Sequence, residues 1–188
     1  EHVHSLLDWE TPRMSKILVD TIDTRSGTTT LTLGSTNAGT IALGSGDVQS
    51  NFLYPAFHIA NDQNQSIANT TMQKVTFNVE VFDTNNNFAS STFTPTLAGK
   101  YFLYSSIQMD INTGVGQIQV RIYKNGSMVA RSRQAHYYGN NQQTYCASAI
   151  VEANGSSDYF EIYTYQDSGS SRTLTSEDES NYFMGYRI

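Results

Sequence analysis

The sequence predicts an all-β protein, a ten-stranded-type jelly-roll sandwich with a short β-rich N-terminal stalk. Three observations predict it. Short runs of aromatic and β-branched residues alternate with turns rich in Asn, Gly and Ser throughout the chain. No stretch longer than ten residues carries a convincing helical period. The run Phe93-Thr94-Pro95-Thr96-Leu97-Ala98-Gly99-Lys100-Tyr101-Phe102-Leu103-Tyr104 reads as strand, proline-broken turn, and aromatic strand. Gly99 is placed in that turn. A double-sheet jelly roll accounts for this pattern.

Residues 1–13 do not resemble the rest of the chain and are expected to be a leader or an added extension. Residues 14–50 are read as the stalk or anchor, and residues 51–188 as the head. Within the stalk, Ile17-Leu18-Val19-Asp20-Thr21-Ile22 is strand-like. Thr30-Leu31-Thr32-Leu33-Gly34 is echoed ten residues later by Thr40-Ile41-Ala42-Leu43-Gly44. Such a repeat cannot bury Leu31, Leu33, Ile41 and Leu43 by itself, but three copies wound together can. The competing reading is a flexible Gly/Ser/Thr linker. Turns are expected at 61–65, 85–87, 112–116, 125–126, 139–141, 154–157 and 168–171. Asn125-Gly126, between Tyr123 and Met128, is the best two-residue hairpin signal. The apolar ending Tyr182-Phe183-Met184-Gly185-Tyr186-Arg187-Ile188 predicts a last strand held inside a sheet.

These motifs carry a resemblance. Phe93-x-Pro95-x-x-x-Gly99-x-Tyr101-x-Leu103 is similar to the central signature of the complement component 1q globular-head family, which shares its jelly roll with tumour necrosis factor. Phe183-x-Gly185-Tyr186-x-Ile188 resembles that family's closing strand, and Tyr123-Lys124-Asn125-Gly126 its Lys-Asn-Gly hairpin. Ala149-Ile150-Val151-Glu152-Ala153-Asn154-Gly155 followed by Asp158-Tyr159-Phe160 resembles its late strand, Gly-Asp turn and next strand, with Ser156 and Ser157 inserted. The resemblance covers roughly residues 55–188 and implies a homotrimer. Separately, Val19-Asp20-Thr21-Ile22-Asp23-Thr24 and the Thr/Gly repeats resemble N-terminal regions of marine bacteriophage structural proteins.

Composition narrows the function. The chain has 188 residues, 15% of them charged, and a net charge of −6. With no cluster of Lys or Arg, a nucleic-acid partner is not expected. No apolar run approaches a membrane span of about 20 residues, so membrane insertion is not expected. Cys146 stands alone and reads as a small buried hydrophobe. No catalytic signature is present among the four histidines His2, His4, His58 and His136 or elsewhere. Glu161 with Asp167 is an acid pair that reads more simply as solvated surface groups. An enzyme is not expected, and neither is a cofactor. Asp167 and Glu177-Asp178-Glu179 offer oxygen ligands of the type calcium takes, yet a solvated acidic turn explains them better, so no metal is expected.

Aromatics supply the assembly and binding expectations. Tyr101, Phe102, Tyr104, Tyr159, Phe160, Tyr163 and Tyr165 lie in strands whose alternate residues face opposite sides. One set fills the sandwich, and the other is explained if it meets neighbouring subunits. His136 to Tyr145 reads as a loop of Tyr, Asn, Gln and Gly, a paratope-like mixture. The expected receptor contacts are Tyr137, Tyr138, Asn140, Asn141 and Tyr145, with Arg131 and Arg133 pairing acidic sugars or carboxylates. The competing reading is a solvated loop without a ligand. The expected function is a trimeric virion structural protein, a tail-fibre tip or capsid fibre. Its partners would be other virion proteins, through the N-terminal segment, and a host-surface glycan or protein. The alternatives are a secreted, extracellular adhesion or signalling ligand of the complement or tumour necrosis factor type, or an architectural capsid decoration protein.

Overall fold

A computed structural model describes residues 55–111, 116–136 and 141–188. The leader and the stalk, with Leu31, Leu33, Ile41 and Leu43, lie outside the described residues. Thirteen strands are present among the described residues: β1 Ala56–Ala60, β2 Gln65–Ile67, β3 Gln73–Lys74, β4 Val79–Asp83, β5 Phe88–Ala89, β6 Thr92–Phe93, β7 Ala98–Ile111, β8 Gly116–Lys124, β9 Ser127–His136, β10 Asn141–Asn154, β11 Phe160–Gln166, β12 Arg172–Leu174 and β13 Tyr182–Arg187. No helix occurs among them, so none is long and apolar enough to cross a membrane.

The strands form two antiparallel sheets. The seven-stranded sheet runs β2-β12-β7-β13-β1-β4, with β10 on the other side of β7. The six-stranded sheet runs β5-β6-β11-β8-β9, with β3 also on β11. Period-two alternation makes each sheet two-sided. In β11 it is complete: Phe160, Ile162, Thr164 and Gln166 are buried and the residues between them are half-buried. The inward sets interlock into one core holding Phe57, Phe93, Tyr101, Leu103, Ile107, Ile118, Ile122, Phe160 and Phe183. The architecture is a jelly-roll sandwich.

Local chemistry fixes several joints. Asn125 (φ 51°) and Gly126 (φ 77°) both adopt left-handed backbone, which a two-residue hairpin needs to match strand twist. They join β8 to β9, pairing Lys124 with Ser127 and Tyr123 with Met128. One residue later a β-bulge intervenes, and Ile122 pairs with Ala130. The β10–β11 turn is tied by Asp158, whose carboxylate accepts from the Asn154 amide at 2.8 Å and the Asn125 side-chain amide at 2.7 Å. The Asn125 hydrogen bond and then Lys124, at 2.9 Å, hold the Asp158 carboxyl below its ordinary range. β13 is the closing strand and pairs β1 on one side and β7 on the other.

Three expectations are corrected. Gly99 does not lie in a turn. The chain resumes pairing at Ala98, and Gly99 (φ 147°) sits opposite Ala153. Its positive φ, which a residue with a Cβ rarely adopts, favours glycine here within the strand, and a Cβ would also displace the Arg187 side chain, 2.6 Å away at Nε. The stretch from 134 to 145 is mostly strand, because β9 runs to His136 and β10 starts at Asn141. Cys146 is not a core residue; it is half-buried, its thiol 3.7 Å from the Ser106 hydroxyl.

Candidate functional site

The two outer sheet faces differ in kind. On the seven-stranded sheet, strand register aligns side chains in rows. Phe82, His58, Met184, Tyr104 and Ser148 form one row across β4, β1, β13, β7 and β10. Ala56, Tyr186, Phe102 and Ile150 form the next, and Tyr182, Ser106 and Cys146 lie on the other side. Rings knit the rows together. Phe102 and Tyr186 lie 5.5 Å apart, Tyr104 and Tyr182 5.8 Å, and His58 and Tyr182 5.1 Å. Phe82 (46% exposed), Tyr186 (50%) and Ile150 (65%) remain open to solvent.

These three rows contain no acid, lysine or arginine. Their one basic group, His58, sits between Phe82 and the ring of Tyr182. Its Nε2 atom is buried without a hydrogen-bond partner among the described residues, and burial lowers its pKa from the ordinary 6.5. The Tyr104 phenol is held protonated well above its usual range, first by its hydrogen bond to Cys146 and then by burial. The apolar face is therefore electrically silent near neutral pH.

The outer face of the six-stranded sheet is polar and basic. Gln117, Gln119, Arg121 and Tyr123 alternate along β8 and form a hydrogen-bonded ladder. Gln117 Nε2 donates to Asp167 Oδ2 at 2.8 Å. Gln119 Nε2 donates to Gln117 Oε1 at 3.1 Å. Arg121 then donates Nε (3.0 Å) and Nη2 (2.6 Å) to Gln119 Oε1. An acceptor-only carboxylate at one end and a donor-only guanidinium at the other fix both amide orientations. Arg121 is thus held in place before any ligand arrives.

Arg121 stands directly opposite Arg131, and Gln119 opposite Arg133. On the other side of β8, Tyr163 faces Arg121 and Tyr165 faces Gln119. Tyr123 and Tyr163 pack at 4.5 Å. Arg131 and Arg133 are exposed. Two carboxylates border the patch, and both are occupied. Glu161 is paired with Lys74 at 2.7 Å, and Asp167 is held by the Gln117 amide groups. No carboxylate among the described residues forms a salt bridge with Arg121, Arg131 or Arg133.

The sequence-predicted site is therefore divided. Arg131 and Arg133 lie on this strand face, opposite Arg121 and Gln119. Tyr137, Tyr138 and Asn140 lie outside the described residues, and Asn141 opens β10 opposite Ile111. Tyr145 is withdrawn as a receptor contact. It points inward from β10, 2% exposed, with its hydroxyl donating to Gln143 at 2.6 Å and its pKa pushed up to about 12 by burial. Arg121, Gln119, Tyr163 and Tyr165 were not expected as one group. Their signal was the period-two polar series in β8 and the tyrosines of β11.

The acidic candidates are dispersed. Glu161 and Asp167 lie at opposite ends of β11, about 20 Å apart at strand rise, too far to flank one glycosidic bond. Glu177 to Glu179 form the turn before β13, which the buried Asn181 side chain ties by donating to the Thr175 and Glu177 carbonyls, each at 2.9 Å. No three His, Cys, Asp or Glu side chains gather to hold a metal among the described residues.

The sequence matches no protein-family model and no curated protein. The fold does match solved structures. Murine APRIL at pH 5.0 superposes with a TM-score of 0.55 at 11% identity, covering 72% of this chain and 99% of that one. Eiger TNF from S. frugiperda superposes with a TM-score of 0.55 at 9% identity, covering 72% of this chain and 92% of that one. Murine APRIL at pH 8.0 gives 0.52 at 12% identity, covering 72% and 99%. The jelly roll of this chain is accordingly of the tumour necrosis factor type.

Proposed function

We propose that this chain is a non-enzymatic binding protein that assembles as a homotrimer through the outer face of its seven-stranded sheet. The single observation that carries it is the aromatic and aliphatic surface from Phe82 to Ile150, contiguous and uncharged. A surface of that kind marks an interface. The number three follows from the resemblance of the Phe93 and Phe183 motifs, in keeping with the fold. Light scattering of the full chain should give about three times its mass of 20.9 kDa. A stable monomer at micromolar concentration would overturn the reading.

His58 adds a pH dependence to the assembly. A histidine whose folded pKa lies below 6.5 binds fewer protons folded than unfolded. The neutral state is favoured near pH 7, and stability falls as pH drops below 6.5. Packing against a neighbour would bury His58 further and enlarge the effect. The trimer should loosen on acidification, and His58→Phe should flatten that dependence. An unchanged pH profile in the variant would remove His58 as the cause.

The setting we favour is a virion, with residues 14–50 anchoring a tail-fibre tip or capsid fibre that binds a host surface. The wording of residues 19–24 supports it. A second reading, a secreted ligand, is favoured by the likeness to the APRIL and Eiger TNF folds. Mass spectrometry decides between them: the chain should be found in purified particles. Its recovery only from particle-free medium would favour the secreted ligand.

A further inference from the structure

We propose that the outer face of the six-stranded sheet binds a carboxylated polysaccharide, with Arg121, Arg131 and Arg133 taking the carboxylates and Tyr163 and Tyr165 receiving the sugar rings. The proposal rests on the reading of the chain as a binding protein and names the chemistry of its ligand. Arg121 and Arg131 are direct cross-strand partners, an arrangement that repels unless an anion sits between them. No salt bridge relieves them among the described residues, since Glu161 is already paired with Lys74. The ladder from Asp167 pre-orders Arg121, which lowers the entropy lost when a carboxylate docks.

Geometry suits a chain ligand. Arg131 and Arg133 project from the same face, two residues or about 7 Å apart along β9. The site spans three neighbouring strands, β9, β8 and β11, along which an extended polymer can lie. Guanidinium forks grip planar carboxylates through two parallel hydrogen bonds. The half-buried Tyr163 and Tyr165 offer rigid apolar area with a polar tip for ring faces and hydroxyls. Overall charge selects against densely charged rivals. The net charge of −6 opposes every polyanion at long range, and opposes a denser one more, so recognition rests on short-range contacts to the carboxylates.

The test uses the full chain and titration calorimetry with polygalacturonate fragments. Their methyl-esterified form and dextran sulfate are the comparison ligands. Polygalacturonate should bind, the ester should not, and dextran sulfate should bind more weakly. Arg131→Gln with Arg133→Gln should weaken binding at least about tenfold, as should Arg121→Gln, while circular dichroism still shows the folded β-sheet. Absence of binding, equal binding of the ester, tighter binding of dextran sulfate, or variants binding like the wild type would each overturn the site. Light scattering on the same samples separates the two readings. A trimer that fails to bind overturns this site alone, and a monomer that binds overturns the assembly alone.

Discussion

Phe57→Ala should unfold the head at much lower urea concentration, with a loss of about 3–5 kcal/mol. Phe57 is 1% exposed. Its ring stacks on Phe93 at 4.2 Å and on Phe88 at 5.6 Å, and meets Phe183 edge-on at 4.9 Å. It joins the first strand, the last strand and the short strands of the other sheet. Removing it leaves a cavity that three separate elements must collapse to fill, and their register pairs prevent that. The loss is a large share of the roughly 5–15 kcal/mol that stabilises an ordinary domain. Made alone, Gly185→Ala should cost a smaller amount, about 1–3 kcal/mol, because a Cβ there meets Leu103 at 2.6 Å, the Phe102 carbonyl at 2.8 Å and Phe57 at 2.9 Å. Chemical denaturation measures both. A Phe57→Ala loss below about 1 kcal/mol would show that the core does not depend on this cluster.

Ile150→Asp should dissociate the assembly while leaving the single head folded. Ile150 is 65% exposed in the single chain, on β10 opposite Phe102, so the substitution removes little from the core. In a trimer each copy would bury an unpaired carboxylate against the aromatic rows. At about 2 kcal/mol for each of three copies, the assembly constant falls by about four powers of ten. The variant should run at the single-chain mass of 20.9 kDa in light scattering and still give a β-sheet circular dichroism spectrum. A variant that kept the wild-type mass would place the interface elsewhere.

Much of the fold was legible in the sequence because its signals are local. Asn125-Gly126 demanded a hairpin, since both residues take left-handed backbone. The aromatics Phe160, Tyr163 and Tyr165 were read as lying on the two faces of one strand, and β11 buries Phe160 and leaves the two tyrosines half-buried on the other side. The aromatic surplus of Tyr101, Phe102, Tyr104, Phe160, Tyr163 and Tyr165 implied a second, outward set; Tyr101 and Phe160 are buried, whereas Phe102 and Tyr104 face out from one sheet and Tyr163 and Tyr165 from the other. Composition misled between 134 and 145. Tyr, Asn, Gln and Gly suit a loop, but pairing of Asn141 to Tyr145 with β7 satisfies the backbone and buries Tyr145.

The basic face was decided by the tertiary structure alone. Continuing the hairpin from Lys124 and Ser127 without interruption sets Arg131 opposite Val120 and points it into the core. The bulge after Met128 adds one residue to β9 and moves the pairing to Arg121 with Arg131 and Gln119 with Arg133. A one-residue slip turns every following side chain to the opposite face. Desolvation makes the uninterrupted register untenable, since it buries two guanidinium groups beside Val120 and Ile118, both 1% exposed or less. By itself the sequence determined the jelly roll, the hairpin and the presence of Arg131 and Arg133. The shared surface of three arginines and two tyrosines arose from the bulge and from the position of β11 beside β8, neither of which a single strand's pattern records.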